Sequence, residues 1–260
     1  LGDSIRDDQH KGLEADYVIT NPPFNEKEWG KNAVADDDPR FKYGMPRASK
    51  QGGNFAFIQH MLSHVNDETG MVGTVMANGS LSVQSKEGDI RQNIVEDDIL
   101  DTIIALPGDL FYTTSIPVCV WIFSKGKEAD KYRDRPGETL FIDARDMSEE
   151  INKSLNRLTA EHVEQISETV RAYRGEKNTQ EYYDEKGFCK VATIDEIRDQ
   201  NWVLTPGRYA GVKQSSFDDD EPFDEKMDRL TEALAGQFEE NDVLEQQIKK
   251  NLQNLGYDEV

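Results

Sequence analysis

Short apolar runs alternate along the chain with polar stretches and with segments whose apolar positions recur at helical spacing. The first run, Ala15-Asp16-Tyr17-Val18-Ile19-Thr20, reads as a buried strand. Met71 to Ala77, Ile99 to Leu106, Ile116 to Phe123 and Glu138 to Ala144 read as four more. Between them, residues 54–66 form an amphipathic helix with Phe57, Ile58, Met61, Leu62 and Val65 on one stripe. Residues 86–97 form another, with Ile90, Ile94 and Val95 inward. Pro107-Gly108 stops the third strand, and Pro117 sits near the start of the fourth, where proline is tolerated. Strands alternating with helices predict an open, largely parallel α/β sheet. The closely spaced last pair predicts an antiparallel hairpin at its edge.

Beyond residue 145 the pattern changes. Residues 159–174 are helical, with Thr159 as N-cap. A polar loop with Tyr182 and Tyr183 follows, then a short apolar run from Phe188 to Ala192. Thr193 caps a brief helix, and Trp202 to Tyr209 is compact and turn-rich. Asp218-Asp219-Asp220-Glu221-Pro222 reads as an acidic linker. After it, Phe223, Met227, Leu230, Leu234, Phe238, Ile248, Leu252 and Leu255 recur near helical period, with charges on the other faces. Gly256 ends that helix. A long amphipathic helix after a linker is usually a partner-binding element. The expected organisation is a catalytic α/β region over 1–145, a mixed helical extension over 146–217 and a partner-binding helix over 218–260.

Composition adds three constraints. Hydrophobic residues make up 36% of the chain and charged residues 31%, so it is globular but polar. Cys119 and Cys189 lie far apart in no metal-like spacing, which fits a reducing cytoplasm. No apolar run approaches a membrane span. The net charge of −21 argues against the chain gripping nucleic acid by itself, because phosphate contact needs Lys and Arg. It implies a partner that supplies basic surface, or a salt-adapted source with acidic surfaces throughout. The chain opens on Leu1 rather than Met and reads as a stretch of a longer protein.

The candidate chemistry sits directly after the first strand, at Asn21-Pro22-Pro23-Phe24. That is the carboxyl edge of an α/β sheet, where ligands bind. Two consecutive prolines fix φ and remove two N–H donors, and Asn21, preceding proline, is pushed to an extended conformation. The main-chain carbonyls then have few local donors competing for them. Asn21 adds a side-chain carbonyl and Phe24 a flat apolar face. Two convergent acceptors beside an aromatic plate suit a planar molecule with an amino group, such as adenine. Its two N–H bonds go to the acceptors and its ring stacks on Phe24. Held so, the nitrogen moves toward tetrahedral geometry, localises its lone pair and attacks an electrophilic methyl group in line. The bland reading of the tetrapeptide is a proline-rich turn; its place after a strand favours the chemical one.

Other features carry two readings each. Asp3, at a sheet edge, either accepts from a nucleotide amine or caps a turn. In the long polar loop of residues 25–52, Trp29, Phe41, Lys42 and Tyr43 either touch a base or backbone or pack on one another. Phe111 and Tyr112 either approach a base or pack locally. His60 and His64 lie four apart on one helix face; with no third ligand in view, the pair reads as a solvated face.

The order of motifs resembles the modification (methyltransferase) subunit of type I restriction-modification systems, the N6-adenine DNA methyltransferases. The resemblance begins at Asn21 to Phe24 and continues through Asn54 to His60, Ala77-Asn78-Gly79-Ser80 and, more loosely, Glu87 to Arg91. It resumes at Ala105-Leu106-Pro107, Leu110-Phe111-Tyr112, Phe141 to Arg145 and Gly187-Phe188-Cys189, and ends at Leu204 to Tyr209. It implies a Rossmann-like sheet and S-adenosyl-L-methionine as methyl donor. Asn21 and Pro22 would hold the amine of a flipped adenine, with Pro23 stiffening the turn and Phe24 stacking on the base. Asp3 and Phe55 would lie along the cofactor, and Phe111 or Tyr112 would flank the base from the far side. It implies DNA, a specificity subunit, a second modification subunit and a restriction subunit as partners, in the cytoplasm and away from membranes. The terminal helix would dock on the specificity subunit. One departure matters: the family's glycine-rich cofactor loop lies upstream of the adenine motif, and residues 1–20 hold none. Residues 1–260 are therefore expected to be inactive alone, with an unpaired or artificially paired sheet edge. Two further readings stand beside this one: a non-catalytic assembly module, and an N-methyltransferase acting on protein or RNA.

Overall fold

The computed structural model describes residues 2–112, 114–128, 132–212 and 223–254. The chain divides into two compact units, Leu1–Lys213 and Gln214–Val260.

The first unit holds eight strands among its described residues: β1 (Tyr17–Thr20), β2 (Met71–Ala77), β3 (Leu100–Ala105), β4 (Val118–Ser124), β5 (Glu138–Asp143), β6 (Glu149–Asn152), β7 (Leu155–Arg157) and β8 (Cys189–Thr193). Six form one sheet in the order β1-β2-β4-β3-β5-β8, while β6 and β7 make a separate hairpin. Five helices accompany them: α1 (Lys50–Leu62), α2 (Lys86–Glu96), α3 (Ala160–Arg174), α4 (Ile194–Asp199) and α5 (Gly207–Ala210). On one face, Ile58 of α1 and Ile94 of α2 join Met76, Ile103, Trp121 and Phe141 in the main core. On the other, Ile166, Val170 and Tyr173 of α3 cover Ile104, Leu140 and Ile142. β3 is buried at every position, as a strand covered on both faces must be.

The sheet is more mixed than expected. β1 pairs parallel with β2, and β3 with β5. β4 inserts antiparallel between β2 and β3, and β8 lies antiparallel to β5. The closely spaced β4 and β5, read as an edge hairpin, do not pair with each other. The connection from β3 to β4 holds no helix among its described residues, and without a helical crossover β4 returns antiparallel beside its predecessor.

β1 also departs from the expected buried strand. It pairs with β2 alone, and Tyr17 and Ile19 are 58% and 89% exposed, while Val18 and Thr20 are half-buried. An apolar run records a strand's affinity for cover; among the described residues that cover exists on one face only.

The hairpin β6–β7 was not foreseen. All four residues of β6 are exposed, and its sequence, Glu149-Glu150-Ile151-Asn152, has no apolar alternation to announce it. The helix over 159–174 starts as expected, Thr159 Oγ1 accepting from the His162 N–H at 3.2 Å.

The second unit's described element is one helix, α6 (Phe223–Asn254). Met227, Leu230, Leu234, Leu244 and Ile248 follow one another at three- and four-residue steps or sums of them, on one seam. These residues and Phe238 are between 45% and 63% exposed. Asp218 to Pro222, Leu255 and Gly256 lie outside the described residues. Among those that are described, no helix is long and apolar enough to cross a membrane.

A buried ion cluster fastens α3 to the sheet. Asp101, on β3, is fully buried between Arg135 (3.0 Å) and Arg174 (2.7 Å), and Arg135 is itself fully buried. Burial alone would push the Asp101 carboxyl up; the Arg174 and Arg135 charges outweigh it and hold it below the ordinary carboxylate range. Its stabilisation is therefore present above about pH 4 and lost as the pH falls through the depressed folded value. Asp101→Ala would strand two arginines against the core. We expect a loss of about 3–5 kcal/mol of unfolding free energy, read from denaturant melts at neutral pH.

Candidate active site

β1 ends at Thr20 and delivers Asn21 to the carboxyl edge of the sheet. Asn21 and Pro23 are exposed, Pro22 is buried and Phe24 is half-buried. Phe24 packs into the core on the α3 side with Val75, Leu110 and Phe111. Its ring meets that of Phe111 edge-on, the centroids 6.0 Å apart. Two residues singled out from distant parts of the sequence thus converge, leaving the Asn21 amide in solvent beside an aromatic pair.

The tetrapeptide is held by the residue that follows it. Asn25 adopts a left-handed φ of 56°. Its N–H donates to Asn54 Oδ1 at 2.9 Å, and Asn54 Nδ2 donates back to Asn25 Oδ1 at 3.1 Å. Gln51 Nε2 reaches the same oxygen at 3.5 Å. Asn54 is wholly buried in the first turns of α1. This reciprocal clamp needs the loop backbone to lie directly on the helix. A Cβ at Gly53 would stand 2.1 Å from the Glu26 carbonyl oxygen, and one at Gly52 1.8 Å from that of Arg47. Neither distance is possible for a real Cβ, so both positions require glycine.

The loop that follows, residues 25–49, folds on itself. Trp29 and Phe41 are buried with centroids 5.7 Å apart, and Trp29 Nε1 donates to the Arg47 carbonyl at 2.8 Å. Tyr43 is buried and Lys42 pairs with Asp97 at 3.0 Å. Of the two readings of these residues, local packing is the one realised. Glu87 of α2, fully buried, ties the loop down through Arg47 at 2.7 Å.

The end of β2 completes the corner. Asn78 Oδ1 is, among the described residues, the one buried side-chain oxygen without a partner. The turn it begins, Asn78–Leu81, is fixed by Arg91, which donates to Ser80 O (3.4 Å), Val83 O (2.6 Å) and Trp202 O (2.6 Å). Burial pulls the Arg91 guanidinium down to about 10, since its partners are carbonyl dipoles rather than a carboxylate.

The remaining candidates separate. Phe55 is wholly buried, edge-on to Trp121 with centroids 6.3 Å apart, so it presents no face to a cofactor and serves the core. Asp3 caps a turn: its Oδ1 accepts from the N–H groups of Ile5 and Arg6, each at 3.0 Å, while Oδ2 faces Arg6 Nε at 3.4 Å. Tyr112 stands 92% exposed beside the half-buried Phe111.

His60 and His64 are not a solvated face. His64 is buried, and Asp8, from the chain before β1, meets its Nε2 at 3.1 Å. The three groups cluster within 4.8 Å. His64 Nδ1 donates to the His60 carbonyl at 2.7 Å, while the Arg40 guanidinium donates into His60 Nδ1 at 3.2 Å. Burial, with the neighbouring His64 and Arg40 charges, pushes His60 down to about 4. A cation already fills the place beside His60, and the cluster works as an internal tie between the N-terminal turn and α1.

The N-6 DNA methylase family matches residues 1–218. The chain belongs to that family. It is 42% identical over 257 residues to the type I restriction enzyme HindI methylase subunit of Haemophilus influenzae, covering 98% of this chain and 55% of that protein. It is 39% identical over 260 residues to the MjaIX methylase subunit of Methanocaldococcus jannaschii, covering 99% and 45%. Among solved structures it is similar to the type I restriction-modification methyltransferase subunit of Streptococcus thermophilus. That match has a TM-score of 0.67 and 29% identity, over 80% of this chain and 41% of that one. The chain spans about half the length of the curated relatives it matches.

Within this N-6 DNA methylase stretch, sequence reasoning placed Asn54 in a motif without giving it a role, and passed over Asn25 and the two glycines. A signal was present: Gly52-Gly53-Asn54 at the start of a helix is costly for propensity, and such a cost asks for a close backbone approach. Gly53→Ala should therefore push the Glu26 backbone off α1. We expect about 1–3 kcal/mol of destabilisation, measured by thermal unfolding.

Proposed function

We propose that this chain carries the target-base half of an adenine-N6 DNA methyltransferase, acting as the modification subunit of a type I restriction-modification system. The observation that carries the reading is the exposed Asn21 amide on its clamped, proline-stiffened ledge, next to the Phe24–Phe111 pair. Family membership supports it.

The methyl donor would be S-adenosyl-L-methionine. The fit rests on a cavity of about 470 Å³ lined by Gly2, Ser4, Val18, Thr20, His60 and Met61, among others. It begins at the residue before Asn21 and ends at the Asp3 turn, and its size suits a small cofactor. Gly2, Ser4, Val18 and Thr20 would hold the donor, with Asp3 at the rim; when bound, it supplies an electrophilic methyl group. The chain's own residues do the rest. The Asn21 side-chain oxygen and the Pro22 carbonyl accept the two N–H bonds of the adenine amine. Phe24 stacks on the ring, and Phe111 keeps Phe24 in place. The acceptors strengthen as the nitrogen becomes positive, so stabilisation is greatest at the transition state. The attack requires no side-chain base: the methylated nitrogen is strongly acidic and loses its extra proton to water.

The test uses the full-length protein with its specificity subunit, cognate DNA and labelled donor. Asn21→Ala should lower methyl transfer to adenine N6 by about 10²–10³-fold with no change in unfolding temperature, because Asn21 is exposed. Label on protein or RNA in place of DNA would favour a different N-methyltransferase. Assembly without any transfer by the unmutated protein would favour an assembly module.

The exposed seam of α6 supports a docking role toward the specificity subunit. Leu234→Asp should abolish co-purification with that subunit while leaving the melting of the first unit unchanged. Undiminished co-purification would remove α6 from the interface.

A further inference from the structure

Phe111 and Tyr112 are adjacent in sequence, but the fold gives them opposite surroundings. Leu110 and Phe111 pack into the core on the α3 side, and Phe111 abuts Phe24. Tyr112 is 92% exposed, more than any other large hydrophobic residue described. Its mount is firm. Phe111, directly before it, pairs with Thr114 across an antiparallel bridge. Behind the bridge, the hairpin β6–β7 pins the incoming chain: the Asn156 N–H donates to Asp109 O at 2.7 Å, and Asn156 Nδ2 to Gly108 O at 3.2 Å. Asp109 itself sits at a left-handed φ of 58°. In front, the Thr114 hydroxyl accepts from the Ile116 N–H at 3.3 Å, and Ile116 is partly exposed as well.

An aromatic side chain held out in water at a defined position, one residue from the base site, calls for a physical reason. Leaving so large a ring exposed forgoes the free energy of its burial. A base that reaches Phe24 must leave the duplex stack, and its departure opens a gap of aromatic size flanked by two exposed base faces. A rigid apolar or aromatic wedge at the mouth of the site lowers the cost of that gap by stacking in it. The acidic chain makes such a contact more useful, because stacking gains affinity without needing positive charge.

We propose that Tyr112 is the wedge that enters the duplex when the target adenine leaves it, while Phe111 stays behind as a wall of the base site. This rests on the methyltransferase reading above and assigns a DNA-stacking role that the base site itself does not contain. Tyr112 is a positioning residue: it acts on the duplex and touches neither the amine nor the methyl group.

The test compares unmutated protein, Tyr112→Ala, Tyr112→Phe and Phe24→Ala in the full-length complex with the specificity subunit. Two duplexes are used, one fully paired and one with an abasic site opposite the target adenine. Base extrusion is read from 2-aminopurine fluorescence at the target position, and transfer from labelled methyl on the adenine-containing duplexes. Tyr112→Ala should lose at least about fivefold in transfer and in fluorescence gain on the paired duplex. It should recover to near the unmutated level on the abasic duplex, where extrusion costs less. Tyr112→Phe should match the unmutated protein, because the ring and not the hydroxyl stacks. Phe24→Ala should stay impaired on both duplexes. Equal activity of Tyr112→Ala and unmutated protein on paired DNA would overturn the proposal, as would an equal defect on both duplexes. A loss of assembly with the specificity subunit would also overturn it, and would make Tyr112 a protein contact. If the unmutated complex transfers no methyl to DNA, the methyltransferase reading falls and takes this assignment with it; the first three results sink the wedge alone.

Discussion

The clamp between Asn25 and Asn54 is the constraint on which the site depends. Two amides satisfy each other across the boundary between a loop and a helix, and the buried partner has no water to turn to. A lost bond there would strand a polar group, so the geometry is held from both ends. The glycines beneath make the approach possible at a cost in helix propensity, and Ser49 recovers part of it by capping α1, Oγ accepting from Gly52 N at 3.0 Å. The result is a rigid ledge. The prolines stiffen the tetrapeptide from within, and the clamp fixes it from behind. An acceptor that must strengthen as charge develops gains most when it need not reorganise.

Much of the rest of the fold supports that corner indirectly. Arg91 binds the turn after β2 to the segment that ends in Leu204, and the Leu204 N–H donates to Leu81 O at 2.9 Å. Tyr209 then stacks on Phe141 of β5 with centroids 3.8 Å apart and donates to Val203 O at 2.5 Å. Gly207 lies so close to the Asp143–Arg145 pair that a Cβ would sit 2.7 Å from Arg145 Nη2. Stretches far apart in the chain, Phe141 to Arg145 and Leu204 to Tyr209, therefore form one packing unit. Motif status does not make these residues chemical; they keep the sheet edge and its loops in register.

This separates what could be read in the sequence from what could not. Strands β2 to β5 and helices α1 to α3 were legible, because burial on one or both faces imprints a period on the side chains; α1 nonetheless runs Lys50–Leu62 rather than 54–66, its glycine-bearing first turn carrying no apolar period. Asn21 to Phe24 stands out in the sequence because proline constrains the backbone by itself, whatever surrounds it; its role is the one proposed above. Cover was not legible. The apolar run of β1 looks the same whether or not a neighbour protects Ile19, and Phe55 looks the same as a pocket wall or a core residue. Long-range partners were not legible either. Asp8 comes to His64 from across a strand, and Asn54 comes to Asn25 from across a loop; nothing in either local pattern names the other. The hairpin β6–β7 escaped because a two-stranded exposed ribbon carries no apolar alternation, and its stability comes from the loop it holds.

The acidic charge takes on a more definite meaning in the structure. Arg40, Arg47, Lys127, Arg135, Arg145 and Arg174 are all engaged with carboxylates of the chain itself. These cations brace loops and helices, so a net charge of −21 understates how little positive surface the first unit offers to phosphate. Backbone contacts supply most of the affinity in protein–DNA complexes and carry its salt dependence. A methylase stretch built this way would recognise a base only after something else has brought the duplex to it. On the proposed reading, that division of labour suits two features: the exposed Asn21 ledge of the first unit, and a long helix with an apolar seam in the second. The first would need DNA placed nearby, and the second would offer a way to be attached to whatever places it.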